Sequence, residues 1–282
     1  MRYGMNLLLW TDTLNDAVRP LLDEIKQFGF DAVEVPIFET DVEKYAQWGK
    51  YFDEAGLART GVTIRGPKDN PISPKPTIRK RGIKATKAAL DCCQAAGIET
   101  LCGPFHSALG YFTGAGPTAD EWQWGVESMR QVAQYADKVG VTVGVEYLNR
   151  FECYFLNTAA DGARFCRDVN HLRCKMMYDT FHAHIEEKSI RESIRALRGL
   201  LVHVHVSEND RSTPGTGSVR WQETFDTLKE IGYDNMLVIE AFGLALEKLV
   251  AATKIWRRMY PNERQLAIDG LRFMKEEVAK RR

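Results

Sequence analysis

Four side chains of the kinds that bind hard metal ions lie in the second half of the chain, each at the C-terminal end of a hydrophobic segment. They are Glu146 in VTVGVEYLNRFE, Asp179 in CKMMYDTFH, His205 in LLVHVHVSEND and Glu240 in NMLVIEAFG. Three carboxylates and one imidazole suit Mn²⁺, Mg²⁺ or Co²⁺ better than a structural zinc site, which prefers thiolates. If the four segments are neighbouring parallel strands, these side chains converge at one edge of the sheet. The sequence therefore predicts a metal-dependent enzyme.

Two histidines alternate with valines in the segment LLVHVHV. His203 and His205 are two residues apart, so a strand would place both imidazoles on the same face. His205 is closer to the C-terminal end of the strand and is the predicted ligand. His203 lies one layer deeper, and we expect it either to pack in the core or to support the site from behind.

Further polar side chains follow the same strands and are candidates for substrate contact. His182, Glu152 and Arg211 each lie in a segment that follows one of the predicted ligands. The alternative for Glu152 is an exposed ion pair with Arg150, which would contribute little to stability. Arg211 has a similar alternative as a solvated loop charge.

The first half of the chain supplies other candidate lining residues. His106 in GPFHS directly follows a strand-like segment, and Trp10 lies at the end of another. The remaining candidates are Asn6, Glu34, Arg65 and Phe105. Trp10 and Phe105 fit the hydrophobic core equally well.

Strand-like and helix-like segments alternate along the whole chain. The predicted strands are 3–10, 31–37, 57–65, 98–103, 141–147, 174–179, 200–206 and 236–242, and the predicted helices are 15–28, 40–55, 76–96, 118–138, 158–168, 188–197 and 221–231. This alternation predicts an α/β fold with a parallel sheet, and eight strands favour a closed (β/α)₈ TIM barrel over an open sheet. We expect a single TIM-barrel domain over 1–282, with the barrel at about 3–243 and extra C-terminal helices at about 244–282. The proline-rich stretch 66–76 is predicted to be a long loop on the active face.

Composition narrows the class of partner. The 282 residues include 38 basic and 38 acidic side chains, so the net charge is zero and nucleic acid is not an expected partner. No segment approaches the ~18 apolar residues of a membrane span. The N-terminus runs directly into a strand-like segment without a signal-peptide pattern, which favours a cytoplasmic protein.

The six cysteines lack CxxC spacing and are expected to be free thiols. Neither GxSxG, GxGxxG nor HExxH occurs, so serine hydrolase, dinucleotide and zincin chemistry have no support.

Residues 140–243 resemble the sugar isomerase/epimerase superfamily of xylose-isomerase-like barrels, and within it the D-tagatose 3-epimerase/D-psicose 3-epimerase group. The motifs that carry the resemblance are VEYLNRFE (145–152), YDTFHAHIEE (178–187), HVHVSENDR (203–211), PGTGSVRW (214–221) and VIEAF (238–242). The first 140 residues agree only in their general βα layout. One departure is Asn6, which stands where these epimerases carry an aromatic residue after Gly-Met.

The resemblance implies one divalent ion, usually Mn²⁺ with Co²⁺ or Mg²⁺ as alternatives, bound by the four residues named first. Glu146 and Glu240 would also be the acid/base pair on opposite faces of the substrate carbon. His182, Glu152 and Arg211 would hold the C1–C3 oxygens of a ketose. A homo-oligomer, either a dimer or a tetramer, is also expected.

The leading hypothesis is a metal-dependent ketose 3-epimerase that acts by C3 proton abstraction and a metal-stabilised enediolate. Aldose–ketose or hydroxypyruvate-type isomerisation would use the same site. Metal-dependent phosphodiester hydrolysis needs additional histidines from strands 2 to 4, of which only His106 is a candidate. A non-catalytic sugar-binding module would not need two opposed proton carriers. The absence of a Lys/Arg cluster near the motifs favours an unphosphorylated sugar.

Overall fold

Eight parallel strands form a closed barrel in the computed structural model, which describes residues 1–281. The strands are β1 (Arg2–Asn6), β2 (Ala32–Pro36), β3 (Ala58–Val62), β4 (Thr100–Gly103), β5 (Thr142–Val145), β6 (Cys174–Asp179), β7 (Leu201–Val206) and β8 (Met236–Ile239). Each strand pairs with its neighbour in sequence, and β8 closes the barrel on β1. The predicted TIM barrel is confirmed.

Helices follow the strands and surround the barrel. Within residues 1–281 they are α1 (Arg19–Phe28), α2 (Val42–Glu54), α3 (Pro76–Ala96), α4 (Ala119–Lys138), α5 (Ala159–Val169), α6 (Thr180–Glu186), α7 (Ile190–Ala196), α8 (Trp221–Glu230), α9 (Glu247–Thr253) and α10 (Glu263–Ala279). α1 and α3 end at Gly29 and Gly97, whose φ angles of 95° and 68° are the left-handed conformation that glycine adopts without strain. None of the described helices combines the length and hydrophobicity needed to cross a bilayer.

Several strands are shorter than the hydrophobic pattern predicts. β1 was expected to reach residue 10 but ends at Asn6, because the Asn6 side chain accepts a hydrogen bond from the Leu8 N–H and starts a 3₁₀ turn over Leu7–Leu9. β5 and β8 end at Val145 and Ile239. Glu146 and Glu240 are therefore the first residues after their strands, where side chains meet the C-terminal opening of the barrel.

The segment after β6 is a helix that the sequence pattern did not predict. Asp179 is the last residue of β6 and also the N-cap of α6, because its Oδ1 accepts the Phe181 N–H at 2.7 Å. The predicted helix at 188–197 corresponds to α7, and α6 is an additional helix before it. The additional helix places His182 in its first turn, where the side chain points back toward the barrel opening.

The C-terminal segment packs on the barrel, as the expected helical tail should. α10 buries Leu266, Leu271 and Met274 in the main core. A Cβ atom on Gly270 would lie 2.7 Å from Ile239 of β8, so this glycine permits close approach of helix and strand.

A core substitution in α10 tests whether the tail and barrel form the single domain that the sequence predicts. We expect Leu271→Ala to lower the free energy of unfolding by about 2–5 kcal/mol, because it leaves a cavity between helix and barrel. Ile268→Ala, at an exposed position of the same helix, should cost less than about 1 kcal/mol. Denaturant unfolding followed by fluorescence and circular dichroism should show one coincident transition. A separate transition for α10 would contradict the single domain.

Candidate metal centre and active site

The four predicted ligands converge at the C-terminal end of the barrel. One donor atom from each of Glu146, Asp179, His205 and Glu240 lies within 4.8 Å of the other three, and all four side chains are buried. Asp179 and His205 are direct partners across β6 and β7. The barrel thus brings together residues that are up to 94 positions apart, since Glu146 and Glu240 flank the pair.

His205 presents one ring nitrogen to the carboxylates and is held by the other. Its Nδ1 lies 3.5 Å from Asp179 Oδ2 and 3.4 Å from Glu240 Oε1, yet makes no hydrogen bond. Its Nε2 lies 2.6 Å from Glu34 Oε1 on the opposite side. A carboxylate behind a ligating imidazole fixes the orientation of the ring and raises its basicity. A buried nitrogen aimed at three carboxylates without a partner is the position a cation would complete.

Glu34 is itself held by several buried groups. Asn6 Nδ2 donates to Oε1 at 2.9 Å, and Thr60 Oγ1 and Cys102 Sγ donate to Oε2 at 3.0 and 2.9 Å. His203 Nε2 lies 2.9 Å from the same oxygen, so His203 supports the site from behind. Burial alone would raise the pKa of Glu34, but the charges of His205 and His203 outweigh it and hold the pKa well below its usual range.

The charge balance of the centre favours a bound cation. Burial, Glu240 and Asp179 together raise the pKa of Glu146 well above its usual value. Asp179 behaves in the opposite way, because the charge of Arg211 and the nearby imidazoles of His205 and His182 outweigh its burial and hold its pKa well below the usual range. The carboxylates therefore compete for positive charge in a buried site. Three oxygen donors and one imidazole fit a single divalent ion of the Mn²⁺, Co²⁺ or Mg²⁺ type.

Serine and arginine side chains orient two of the carboxylates. Ser207 Oγ donates to the Glu240 carbonyl at 2.9 Å and lies 3.2 Å from Asp179 Oδ2. Arg211 Nη1 donates to Asp179 Oδ2 at 2.9 Å and also to Glu240 Oε2. Arg211 is therefore buried in the centre, and its alternative as a solvated loop charge is wrong.

The loop that carries Arg211 is shaped by a buried carboxylate that sequence reasoning missed. Glu208 accepts the backbone N–H groups of Gly215 and Val219 and the Trp221 indole N–H, at 2.8–3.1 Å. Arg211 adopts a positive φ of 62°, with its N–H bonded to Glu208 O and its carbonyl bonded to Phe242 N–H. A non-glycine residue in this conformation is strained, and such strain concentrates at functional positions. The acidic residue in the motif VSEND was the available signal.

His182 lies beside the predicted ligands. Its Nδ1 accepts the Asn149 N–H at 3.1 Å. Nε2 lies 3.6 Å from Glu146 Oε1 and 3.0 Å from Arg211 Nη2. Burial lowers the pKa of His182, with the Arg211 charge acting in the same direction. Because a guanidinium N–H can only donate, Arg211 and Asn149 both present donors to the ring, and His182 borders the cavity as a neutral imidazole.

Glu152 also faces this cavity, and Asn149 holds it. Asn149 Nδ2 donates to Glu152 Oε1 at 2.9 Å, an interaction that sequence reasoning did not identify. The alternative that Arg150 pairs with Glu152 is wrong, because Arg150 pairs with Glu186 at 3.0 Å.

A cavity of about 400 Å³ opens above the ligand set. Glu146, Glu152, His182, Arg211 and Glu240 line one side of it. The volume lies within the range of about 300–1,000 Å³ that small-molecule sites occupy. The polar side chains and the predicted ligands therefore share one accessible pocket.

Trp10 was predicted to contact substrate, but the structure places it elsewhere. The 3₁₀ turn after Asn6 carries Trp10 outward, and it lines a separate surface cleft with Leu21 and Arg264. The prediction fails because β1 ends four residues earlier than its hydrophobic pattern indicates.

His106 does not line the cavity either. It is fully buried, and its Nε2 donates to the Glu146 carbonyl at 2.7 Å. Burial lowers its pKa to about 4, so the ring is neutral. His106 thus fixes the backbone of a predicted ligand rather than a substrate, contrary to the expectation. Arg65 and Phe105 are also buried, Arg65 against Thr86 and Phe105 in the core.

Comparison with known proteins assigns the family. A family model described as the xylose isomerase-like TIM barrel matches residues 22–277. The chain belongs to this family. The resemblance predicted from the strand-end motifs is therefore confirmed, and it extends over the first half of the barrel as well.

Relatives within the xylose isomerase-like family are sugar epimerases by name. The chain is 30% identical to a D-psicose 3-epimerase of Ruminiclostridium cellulolyticum over 98% of both chains. It matches the crystal structure of a D-allulose 3-epimerase from Methylomonas sp. in complex with D-allulose, with a TM-score of 0.92, 27% identity and coverage of 98% and 97% of the two chains. A 3-dehydro-D-guloside 4-epimerase of Escherichia coli is 26% identical over 77% of this chain and 84% of its own. The prediction of an isomerase is confirmed.

Substitution of Glu34 tests how the metal centre is held. We expect Glu34→Gln to weaken Mn²⁺ binding by about 10–100-fold, because the amide no longer holds His205 through a charged hydrogen bond. Mn²⁺ titration followed by electron paramagnetic resonance measures the affinity directly. Glu39→Gln is the matched control, because Glu39 is exposed and follows β2, the strand that carries Glu34. This variant should bind Mn²⁺ like the unmodified protein. Equal affinities for the two variants would contradict the supporting role of Glu34.

Proposed function

We propose that this protein is a divalent-metal-dependent ketose 3-epimerase, with Mn²⁺ the preferred ion and Co²⁺ or Mg²⁺ as alternatives. The observation that carries the proposal is the joint position of Glu146 and Glu240. Both contribute an oxygen to the same four-residue cluster and both line the same cavity. Epimerisation needs two proton carriers around one carbon, and this pair supplies them.

The metal requirement follows from the acidity of the substrate. A proton next to a carbonyl is too weakly acidic for an unaided carboxylate. A divalent ion held by the four residues would act as a Lewis acid and lower the cost of the enediolate. Glu146 or Glu240 removes the C3 proton, and the other delivers a proton to the opposite face. Acid/base catalysis of this kind contributes about 10²–10⁴-fold to rate.

The remaining polar side chains orient the sugar. His182 presents its imidazole to the cavity, and Arg211 supplies the guanidinium that faces Asp179 and Glu240. Glu152 offers its carboxylate to a sugar hydroxyl from a position fixed by Asn149. Together they hold the C1–C3 oxygens and leave the reacting carbon between the two glutamates.

Two other reactions are compatible with parts of the site. Aldose–ketose or hydroxypyruvate-type isomerisation would use the same enediolate, and only product analysis separates it from epimerisation. Phosphodiester hydrolysis is disfavoured, because His106, the extra histidine that it would need, is bonded to a backbone carbonyl. An unphosphorylated sugar substrate, a homo-oligomer and a cytoplasmic location remain predictions.

Deuterium incorporation tests the reaction. Mn²⁺-loaded protein, incubated in D₂O with a panel of ketoses, should produce the C3 epimer with deuterium at C3. EDTA should abolish turnover, and added Mn²⁺ should restore it. We expect Glu146→Gln and Glu240→Gln each to lower kcat by at least about 10²-fold, because an amide cannot carry the proton.

Glu127→Gln, at an exposed position of α4, is the control and should leave kcat unchanged. Mn²⁺ binding must be measured on each variant to separate lost chemistry from lost metal. If the product is a deuterated aldose, the reaction is aldose–ketose isomerisation and the proposal of epimerisation is contradicted. Full turnover by metal-loaded Glu146→Gln would remove the proposed acid/base role.

A further inference from the structure

The cavity has two chemically different halves. The loops after β5 to β8 provide the charged and polar side chains described above, together with the apolar residues Leu148, Phe151, Phe181 and Phe242. The half formed by β1 to β4 presents hydrocarbon instead, and its lining residues are Leu8, Phe38, Val62, Ile64, Pro104 and Leu109. Because the strands follow one another around a closed barrel, these six residues form one continuous wall opposite the metal centre.

This apolar wall is open to the cavity. Phe38 and Ile64 expose 40% and 38% of their surfaces, which is unusual for large apolar residues beside a charged site. Leu8 and Val62 belong to a cluster of buried hydrophobic side chains that is separate from the main core. The wall therefore has a hydrophobic backing and a hydrophobic face.

Polar side chains on the same loops are bonded elsewhere. Thr63, between Val62 and Ile64, donates its hydroxyl to the Ile37 carbonyl at 2.8 Å. Ser107 contacts Cys153 Sγ at 3.4 Å, and both residues are buried. Asn6 donates to Glu34 beneath the metal centre. Among the described residues that line the cavity, none is Thr63, Ser107 or Asn6.

The rim of the cavity adds little that could bind hydroxyl groups. Thr253 and Lys254, at the end of α9, line the opening. The Thr253 hydroxyl is bonded to the Leu249 carbonyl of its own helix at 2.7 Å. Lys254 is exposed to solvent at this opening.

We propose that the preferred substrate is a ketose whose end remote from the carbonyl is apolar, of the 6-deoxyketohexose class. This inference rests on the proposed function, because the metal and the two glutamates fix which end of the sugar reacts. With C1–C3 at the polar half, the remaining carbons reach the apolar wall. A hydroxyl group buried there without a partner loses its bonds to water, whereas a methyl group gains from burial.

The size of the preference is bounded by general behaviour of hydrophobic pockets. Such a pocket discriminates against an added hydroxyl by only about 10–100-fold, since it offers no group that must be satisfied. We therefore expect kcat/KM for a 6-deoxyketohexose to exceed that for the parent ketohexose of the same configuration by about this factor.

The test compares the two sugars in the Mn²⁺-loaded protein, in both the D and the L series, with the 6-phosphate of the parent as a third substrate. The predicted result is a higher kcat/KM for the 6-deoxy sugar in at least one series. Equal or better turnover of the parent in both series, or preference for the 6-phosphate, would overturn the proposal.

An isosteric substitution tests the wall itself. Val62→Thr replaces one methyl group with a hydroxyl group of similar size, and it should lower the preference for the 6-deoxy sugar by about threefold or more. Val42→Thr makes the same change at an exposed position that does not line the cavity, and it should leave the preference unchanged. An unchanged preference in Val62→Thr would count against the wall as the source of specificity.

Failure of this inference is distinguishable from failure of the proposed function. If no ketose is epimerised, the proposed function is contradicted. The apolar wall is then tested by calorimetric dissociation constants of the 6-deoxy and parent ketohexoses with Mn²⁺-loaded protein. Tighter binding of the 6-deoxy sugar supports the apolar wall, and equal or weaker binding overturns it.

Discussion

The structure depends on the convergence of three carboxylates around one imidazole nitrogen inside the barrel opening. Like charges in a buried site repel each other strongly, and burial itself disfavours each charged carboxylate. The raised pKa of Glu146 and the lowered pKa of Asp179 show that the available positive charge is shared unequally. A divalent ion satisfies all four donors at once. The surrounding contacts are best understood as the support that keeps these donors converged.

That support reaches two layers into the protein. Glu34 holds His205, while Asn6, Thr60 and Cys102 hold Glu34. Asp179 has one oxygen committed to the first turn of α6 and the other directed to the centre. His106 fixes the backbone at Glu146. Rotation of the His205 or Asp179 side chain would therefore break bonds on its far side, which gives these two positions the rigidity that a metal site requires.

The barrel and the convergence of the four candidate ligands could be predicted from the sequence because both rest on local patterns. Hydrophobic strands recur at regular intervals, and parallel strands in a barrel all present their C-terminal ends on one side. The errors arise where a single side chain ends a strand early. The Asn6 side chain starts a 3₁₀ turn that removes Trp10 from the site, and Asp179 starts a helix that the pattern did not predict. Such caps depend on side-chain orientation, which periodicity does not reveal.

The hydrogen bond by which Glu34 holds His205 was also not predictable from sequence periodicity. Glu34 and His205 are 171 positions apart, and only closure of the barrel shows that one holds the other. The most direct test of the account is anomalous diffraction from crystals loaded with Mn²⁺. The account predicts one peak per chain at about 2.0–2.3 Å from Glu146, Asp179, Glu240 and His205 Nδ1. A peak only at the neighbouring group of Glu34, Cys102 and His203, or no peak inside the barrel, would contradict it.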